Sequence, residues 1–165
     1  MKNKIKNRKQ ITLLAKKLKS KCKKIVTTNG CFDILHVGHI HLLQEAKKQG
    51  DILIVGINSD SSIKKYKGDL RPIIPEKYRA QMISALKCVD YVSIFNETES
   101  IDFIKSVRPD VHVKLKENYQ QGLCTEAPYV LKNGGKMHLI DKVSEFSTTK
   151  IINKILKIYQ KGNQK

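Results

Sequence analysis

The chain has 165 residues, 40% of them hydrophobic and 28% charged, which is one domain's worth of globular sequence and excludes wholesale disorder. No apolar run approaches the roughly 18 residues needed to span a bilayer, and no uninterrupted apolar segment follows the basic start, so a cytoplasmic chain without a secretory signal is expected. The formal charge of +17 is concentrated at the ends: residues 1–24 hold eleven Lys/Arg and residues 150–165 five Lys, with no acid in either, while the body carries 16 bases against 15 acids. Lys outnumbers Arg 28 to 4, and base-reading proteins lean on Arg forks. A solvated basic surface with non-specific polyanion attraction is expected, not a specific nucleic-acid partner, and no membrane insertion.

In chain order, residues 1–9 are polar and basic and read as frayed. Ile11, Leu14, Ala15 and Leu18 recur at helical spacing, so residues 1–21 read as a basic extension with a helix, 22–160 as the main domain and 161–165 as a tail. Lys24–Thr28 reads as a strand. Ile40, Leu42, Leu43 and Ala46 mark one side of a helix for which Gly50 is the expected C-cap. "DILIVGIN" is a short continuous apolar run suited to a strand buried on both faces. A loop containing "KYKGDLRPIIP" follows, and Pro75 opens a helix with Tyr78, Met82, Ala85 and Leu86 as its buried stripe. "DYVSIF" is a third strand, Glu99–Val107 a helix, "DVHVK" a fourth strand, Glu126–Lys132 a helix, and "KMHLI" a fifth strand. Ile151, Ile155 and Ile158 mark a closing amphipathic helix. Strands alternating with helices predict an α/β fold: a Rossmann-like, doubly wound parallel sheet of about five strands with helices on both faces.

The segment "TTNGCFDILHVGHIHLLQEA" runs from the end of the first strand into the next helix. Ligands of open α/β sheets sit at the carboxyl ends of the strands, where a helix N-terminus offers unpaired N–H groups to phosphate. His36 and His39, three apart, share a side of the first helical turn, with Gly38 removing a side chain between them. Alternatives stay open at this point: a surface coincidence, a capping role, or a metal cluster with His41. The cysteines Cys22, Cys31, Cys88 and Cys124 form no CxxC pair and read as reduced thiols. Cys31 as a nucleophile would need His36 as its base.

"HVGH" in this setting resembles the HxGH signature of the nucleotidyltransferase superfamily. The order "TNGCFDILHVGH", "GINSD", "KGDLRPIIP" with Arg79, "ALKCVDYV", "RPDV", "NGG" and "STTKII" is similar to that of D-glycero-β-D-manno-heptose 1-phosphate adenylyltransferases over residues 22–158. The resemblance implies that a sugar 1-phosphate oxygen attacks the α-phosphorus of ATP and pyrophosphate leaves, with Mg²⁺ bound through the triphosphate and the protein acting as a homodimer. It implies His36, His39, Lys67 and Arg79 as catalytic groups, the histidines kept protonated or correctly tautomerised by local charge. It implies nucleotide contacts from Asn29, Gly30, Cys31, Phe32, Asp33, Gly38, Lys114, Ser147, Thr148 and Thr149, and acceptor contacts from Asn58, Asp60 and Arg71, with Ser59 beside them. Asp33 would orient the loop or act near the metal, and the loop between Lys67 and Arg79 would be mobile and close over the triphosphate. Glycerol-3-phosphate cytidylyltransferases share HxGH and the "STTKI" ending, so CTP stays an alternative to ATP. A non-catalytic polyanion-binding module is the alternative from outside the class. The chain departs from the resemblance at Lys114–Leu115–Lys116–Glu117–Asn118–Tyr119, where the family has a glycine-containing turn.

Overall fold

The computed structural model describes residues 3–143 and 146–162. Helix α1 (Arg8–Lys19) precedes β1 (Ile25–Gly30), α2 (Val37–Lys48), β2 (Ile52–Asn58), α3 (Asp60–Lys67), α4 (Glu76–Ala85) and β3 (Tyr91–Phe95). There follow α5 (Ile101–Val107), β4 (Val111–Leu115), α6 (Lys116–Gln120), α7 (Ala127–Lys132), β5 (Lys136–Ile140) and α8 (Thr148–Gly162). The five strands are parallel in the order β3-β2-β1-β4-β5, the doubly wound arrangement expected from the alternation of elements. The order reverses between β1 and β4, and the crevice at the carboxyl ends of those two strands is where such sheets take ligands.

Both faces of the sheet are covered. Val26, Leu53, Val55 and Val113 pack with Leu42, Leu43 and Ala46 of α2 and Ala80 and Ile83 of α4. Ile25 and Ile54 pack on the other face with Ile11 and Ala15 of α1, Phe103 and Ile104 of α5 and Val130 of α7. This two-sided burial is why the strands read as continuous apolar runs. At their amino ends a repeated device sets the register. Asp51, Asp90 and Asp110 stand just before β2, β3 and β4, and each accepts a backbone N–H from the start of the neighbouring strand, Lys24, Leu53 and Ile25 respectively, at 2.7–2.8 Å.

Several local expectations are corrected. Residues from Lys4 onward are not frayed: Lys4 Nζ donates to the carbonyls of Leu86 and Val89, Ile5 bridges to Val92, and Asn7 closes a capping box with Gln10. Gly50 is not a left-handed cap, since Gln49 ends α2 in right-handed geometry; a Cβ at Gly50 would come within 2.8 Å of Val26 Cγ2 and 2.9 Å of the Lys24 carbonyl. The buried stripe of α4 is Arg79, Ala80 and Ile83, leaving Tyr78 exposed, because the stripe turns on a buried arginine that hydropathy counts as surface. The loop expected from Lys65 starts later, because residues 60–67 form a helix that Ser59 caps by accepting from the Ser62 N–H. No helix among the described residues is long and apolar enough to cross a membrane.

Gly56 in β2 faces Phe103, and a Cβ there would stand 2.7 Å from the Phe103 ring. Gly56→Ala is expected to destabilise the fold by about 1–3 kcal/mol, the cost of overpacking a filled core. Urea unfolding should show a lower midpoint at unchanged slope.

Candidate functional site

After β1 the chain turns through Cys31 and Phe32, and Phe32 takes a left-handed backbone (φ 47°) while its ring is buried. A non-glycine residue pays conformational energy for that geometry, and such residues concentrate at functional turns. The turn aims Asp33 inward. Asp33 is 1% exposed and accepts from Arg71 Nε at 2.8 Å and from the Ile73 and Ile74 N–H groups at 2.9–3.1 Å. Its carboxylate therefore orients the 71–74 loop, one of the two roles expected of it, and both oxygens are taken. Arg71 is paired with Asp33 while still lining the central cavity.

Arg79 has no exposed surface. Its Nε donates to the Ile74 carbonyl, Nη1 to the Cys31 carbonyl, and Nη2 to the Asn58 carbonyl and to Asp60 Oδ1 at 2.8 Å. It does not reach the cavity wall, so its expected phosphate contact is replaced by a structural one. Asp60 is corrected likewise: it holds Arg79 and accepts from the Glu76 N–H, while Glu76 accepts from the Asp60 N–H. Asn58 lines the cavity, with its amide donating to Ser62 Oγ. Ser59 is the α3 cap.

Two adjoining cavities open at the carboxyl ends of the strands. The larger, about 670 Å³, is walled by Asn29, Gly30, Cys31, Phe32 and Asp33 on the β1 side, Asn58, Tyr66, Lys67 and Arg71 on the β2 side, and Lys114 and Glu126 on the β4 side. The smaller, about 330 Å³, is walled by His36, Gly38 and His41 of α2 with Lys142, Ser147 and Thr149. His39, Lys67 and Thr148 line both and so form the partition between them. The structure thus gathers every expected site residue except Arg79, Asp60 and Ser59 around one crevice.

On the smaller cavity's side of the partition His36, the N-cap of α2, stacks on His39 with ring centroids 3.8 Å apart, and the Phe32 ring centroid lies 5.1 Å from that of His39. Both Nδ1 atoms are buried without a hydrogen-bond partner. Burial lowers the pKa of His36, and burial with the charges of His36 and Lys67 lowers that of His39 to about 4. The expectation that local charge keeps the pair protonated is corrected for the free protein: partial burial and the cationic neighbours act against protonation of His39, and the Asp33 charge only partly offsets them. Cys31 has Tyr66 as its partner, Sγ to Oη 2.7 Å, rather than His36, and burial pushes the Tyr66 phenol up. Ser147 caps α8 by accepting the Lys150 N–H. Among the described residues no group of three His, Cys, Asp or Glu side chains gathers to hold a metal ion.

The cavity floor holds a polar chain of which sequence reading named only Asn29 and Lys114. Thr27 Oγ1 meets His112 Nδ1 at 2.8 Å, His112 Nε2 meets Glu126 Oε1 at 3.0 Å, Lys114 Nζ donates to that same Oε1 at 2.9 Å and to Asn29 Oδ1 at 3.0 Å. A histidine inside the apolar strand "DVHVK" was the available signal, since a buried imidazole needs partners. Burial raises the Glu126 carboxyl, but the His112 hydrogen bond and the Lys114 charge outweigh it and hold the pKa at about 2. Burial lowers the pKa of His112. The departure at residues 114–119 is accommodated by α6, a short helix that replaces a glycine turn.

The two shifts act in different pH windows. His39 titrates at about 4 folded against 6.5 unfolded, so the unfolded chain binds more protons between those values and stability falls as pH drops from 6.5 to 4. Glu126 titrates at about 2 against 4.5, so its contribution is complete above 4.5 and is lost as pH falls toward 2. His39→Gln is expected to make the upper window shallower, since burial lowers His36 and His112 as well, and to leave the lower one, as measured by urea midpoints across pH.

The cytidylyltransferase-like family profile matches residues 27–154. The chain is 46% identical over 140 residues to the bifunctional protein HldE of Syntrophotalea carbinolica, covering 85% of this chain and 28% of that protein. It is 47% identical over 152 residues to HldE of Campylobacter jejuni subsp. doylei, covering 92% of this chain and 31% of that protein. The chain thus spans less than a third of the length of these curated relatives. Among solved structures, the lipopolysaccharide core biosynthesis protein of Thermoplasma volcanium is 34% identical with a TM-score of 0.59, the match covering 74% of this chain and 99% of that one. Pantoate-beta-alanine ligase of Francisella tularensis, 18% identical with a TM-score of 0.66 over 96% of this chain and 79% of that one, shares the fold. With a family match over most of its length and a homologous structure covered almost end to end, the chain belongs to the cytidylyltransferase-like family of nucleotidyltransferases.

Proposed function

We propose that the protein transfers a nucleotidyl group from an NTP, ATP ahead of CTP, to a sugar phosphate, with heptose 1-phosphate the first acceptor to test. The observation that carries this reading is the stacked His36–His39 pair, both Nδ1 atoms unpartnered, on the partition between two cavities. One cavity takes the nucleotide and the other the acceptor, and the α-phosphorus lies at the partition. An acceptor phosphate oxygen attacks that phosphorus, the bond to the bridging oxygen breaks, and pyrophosphate leaves.

The residues act by position and charge. A neutral imidazole gains a proton when a triphosphate arrives, because the anion reverses the balance that burial and Lys67 set. The protonated ring then donates to the oxygens that become more negative as phosphorus turns five-coordinate. Lys67, on both cavity walls, stands where the leaving pyrophosphate departs. The N-termini of α2 and α8 add backbone N–H groups. Mg²⁺ bound with the triphosphate would be held by phosphates and water, since both Asp33 oxygens serve the loop. A heptose or other sugar acceptor accords with the name of the Thermoplasma volcanium relative. A homodimer belongs to the same reading: Ile155, Leu156, Ile158 and Tyr159 of α8 are exposed, an apolar stripe for a second copy to cover.

His36→Ala and His39→Ala are each expected to lower kcat by roughly 10²–10³, the scale for one lost oxyanion donor, with a smaller change in KM. Pyrophosphate release is the assay, with ATP and CTP each offered to heptose 1-phosphate, hexose 1-phosphates and glycerol 3-phosphate. Near-parental turnover in either variant overturns the histidine roles. Release with no pair at all overturns the functional reading in favour of a binding module.

A further inference from the structure

The Lys114–Glu126 pair sits on the floor of the larger cavity, at the carboxyl ends of β1 and β4 where the strand order reverses. A lone buried ammonium there would be an anion site. It is not alone. Lys114 Nζ spends two of its three N–H donors on Asn29 Oδ1 and Glu126 Oε1, and Glu126 Oε1 also meets His112 Nε2. His112 is fully buried against Thr27 and brings no positive charge to the group. What remains is one unused ammonium N–H beside one unused carboxylate oxygen, Glu126 Oε2, in an ion pair of zero net charge.

A phosphate oxygen offers only acceptors and is repelled by the carboxylate. A hydroxyl both donates and accepts, and a vicinal diol does so twice. We propose that Glu126 is a specificity residue that makes Lys114 half of a neutral donor–acceptor pair, so that the floor of the larger cavity binds a diol of the substrate and rejects phosphate. The free Ser100 Oγ, buried without a partner on the same cavity wall, supplies a further hydroxyl contact. The inference rests on the functional reading only for which diol is bound: the ribose of the nucleotide or the acceptor sugar.

The test is equilibrium binding by calorimetry on the full chain, which needs no turnover. In Glu126→Gln, Lys114 keeps its charge and loses its counter-ion. Inorganic pyrophosphate is expected to bind about tenfold tighter than to the parent, and a diol ligand about tenfold weaker, the worth of one hydrogen bond to a charged group. ATP against 2′,3′-dideoxy-ATP, and mannose 1-phosphate against its 2,3-dideoxy analogue, identify the source: the pair whose discrimination collapses in the variant is the one seated on the floor. Glu126→Asp should recover part of the discrimination. A folded Glu126→Gln with unchanged pyrophosphate affinity and unchanged discrimination in both pairs overturns the proposal. If that variant does not fold, the apolar pair Lys114→Met/Glu126→Leu replaces it; loss of diol discrimination without a pyrophosphate gain supports the proposal, and retained discrimination overturns it. A parent that binds these ligands but transfers no nucleotide sinks the functional reading and leaves this outcome legible.

Discussion

The crevice depends on the burial of one guanidinium. Arg79 ties the chain just after β1, the end of β2 and the loop at Ile74 to one planar group, with Asp60 balancing its charge. Carbonyls at the carboxyl ends of parallel strands have no further strand to pair with and must be satisfied by solvent, ligand or side chain. Arg79 satisfies two of them, at Cys31 and Asn58, and the loop carbonyl of Ile74, with fixed geometry that an ammonium on a flexible stem does not reproduce. Removing it would leave those carbonyls unpartnered and Asp60 with only the Glu76 N–H, which is why a buried ion pair is costly to break even where its net contribution is small.

Asp33 repeats the logic one layer further out. Phe32 adopts a left-handed backbone, Asp33 turns inward, and the carboxylate pins the start of the 71–74 loop. The loop expected to be a mobile lid is therefore anchored on one side by α3, which ends at Lys67, and on the other by Asp33. Only residues 68–70 lie between, and Leu70 there is 89% exposed. The segment free of both anchors is this short stretch, with Lys67 at its edge.

The sheet and its helices were legible because two-sided burial writes itself as apolar runs and 3.6-residue stripes. The crevice was legible because "TNGCFDILHVGH" puts histidines and a glycine after the first strand. The contents of the polar networks were not. Arg71 and Asp33 are 38 positions apart, Arg79 and Cys31 are 48 apart, and nothing in a local window couples them. Arg79 was read as a phosphate ligand because an arginine near a phosphate site has two uses, and only burial distinguishes them. Glu126 was missed for the converse reason: its partner Lys114 lies on another element, and a glutamate beside a short helix reads as surface.

These networks divide the crevice by charge. The body of the chain is almost neutral, and the basic ends act through a field screened within about 8 Å at physiological ionic strength. Anion attraction at the site is therefore local. Asp33 and Arg71 cancel, Asp60 and Arg79 cancel, and Glu126 and Lys114 cancel, leaving Lys67 without a salt bridge on the partition, beside two histidines whose pKa values burial lowers. Positive charge is thus focused where the histidines stand and withheld from the cavity floor. The uncancelled charge of Lys67 stands beside the N-terminus of α2, where His36, Gly38 and His39 share a cavity wall with it. The crevice thus has one edge of uncancelled positive charge at Lys67 and walls at Arg71 and Lys114 where charge is paired, a polarity set by which side chains the fold ties together.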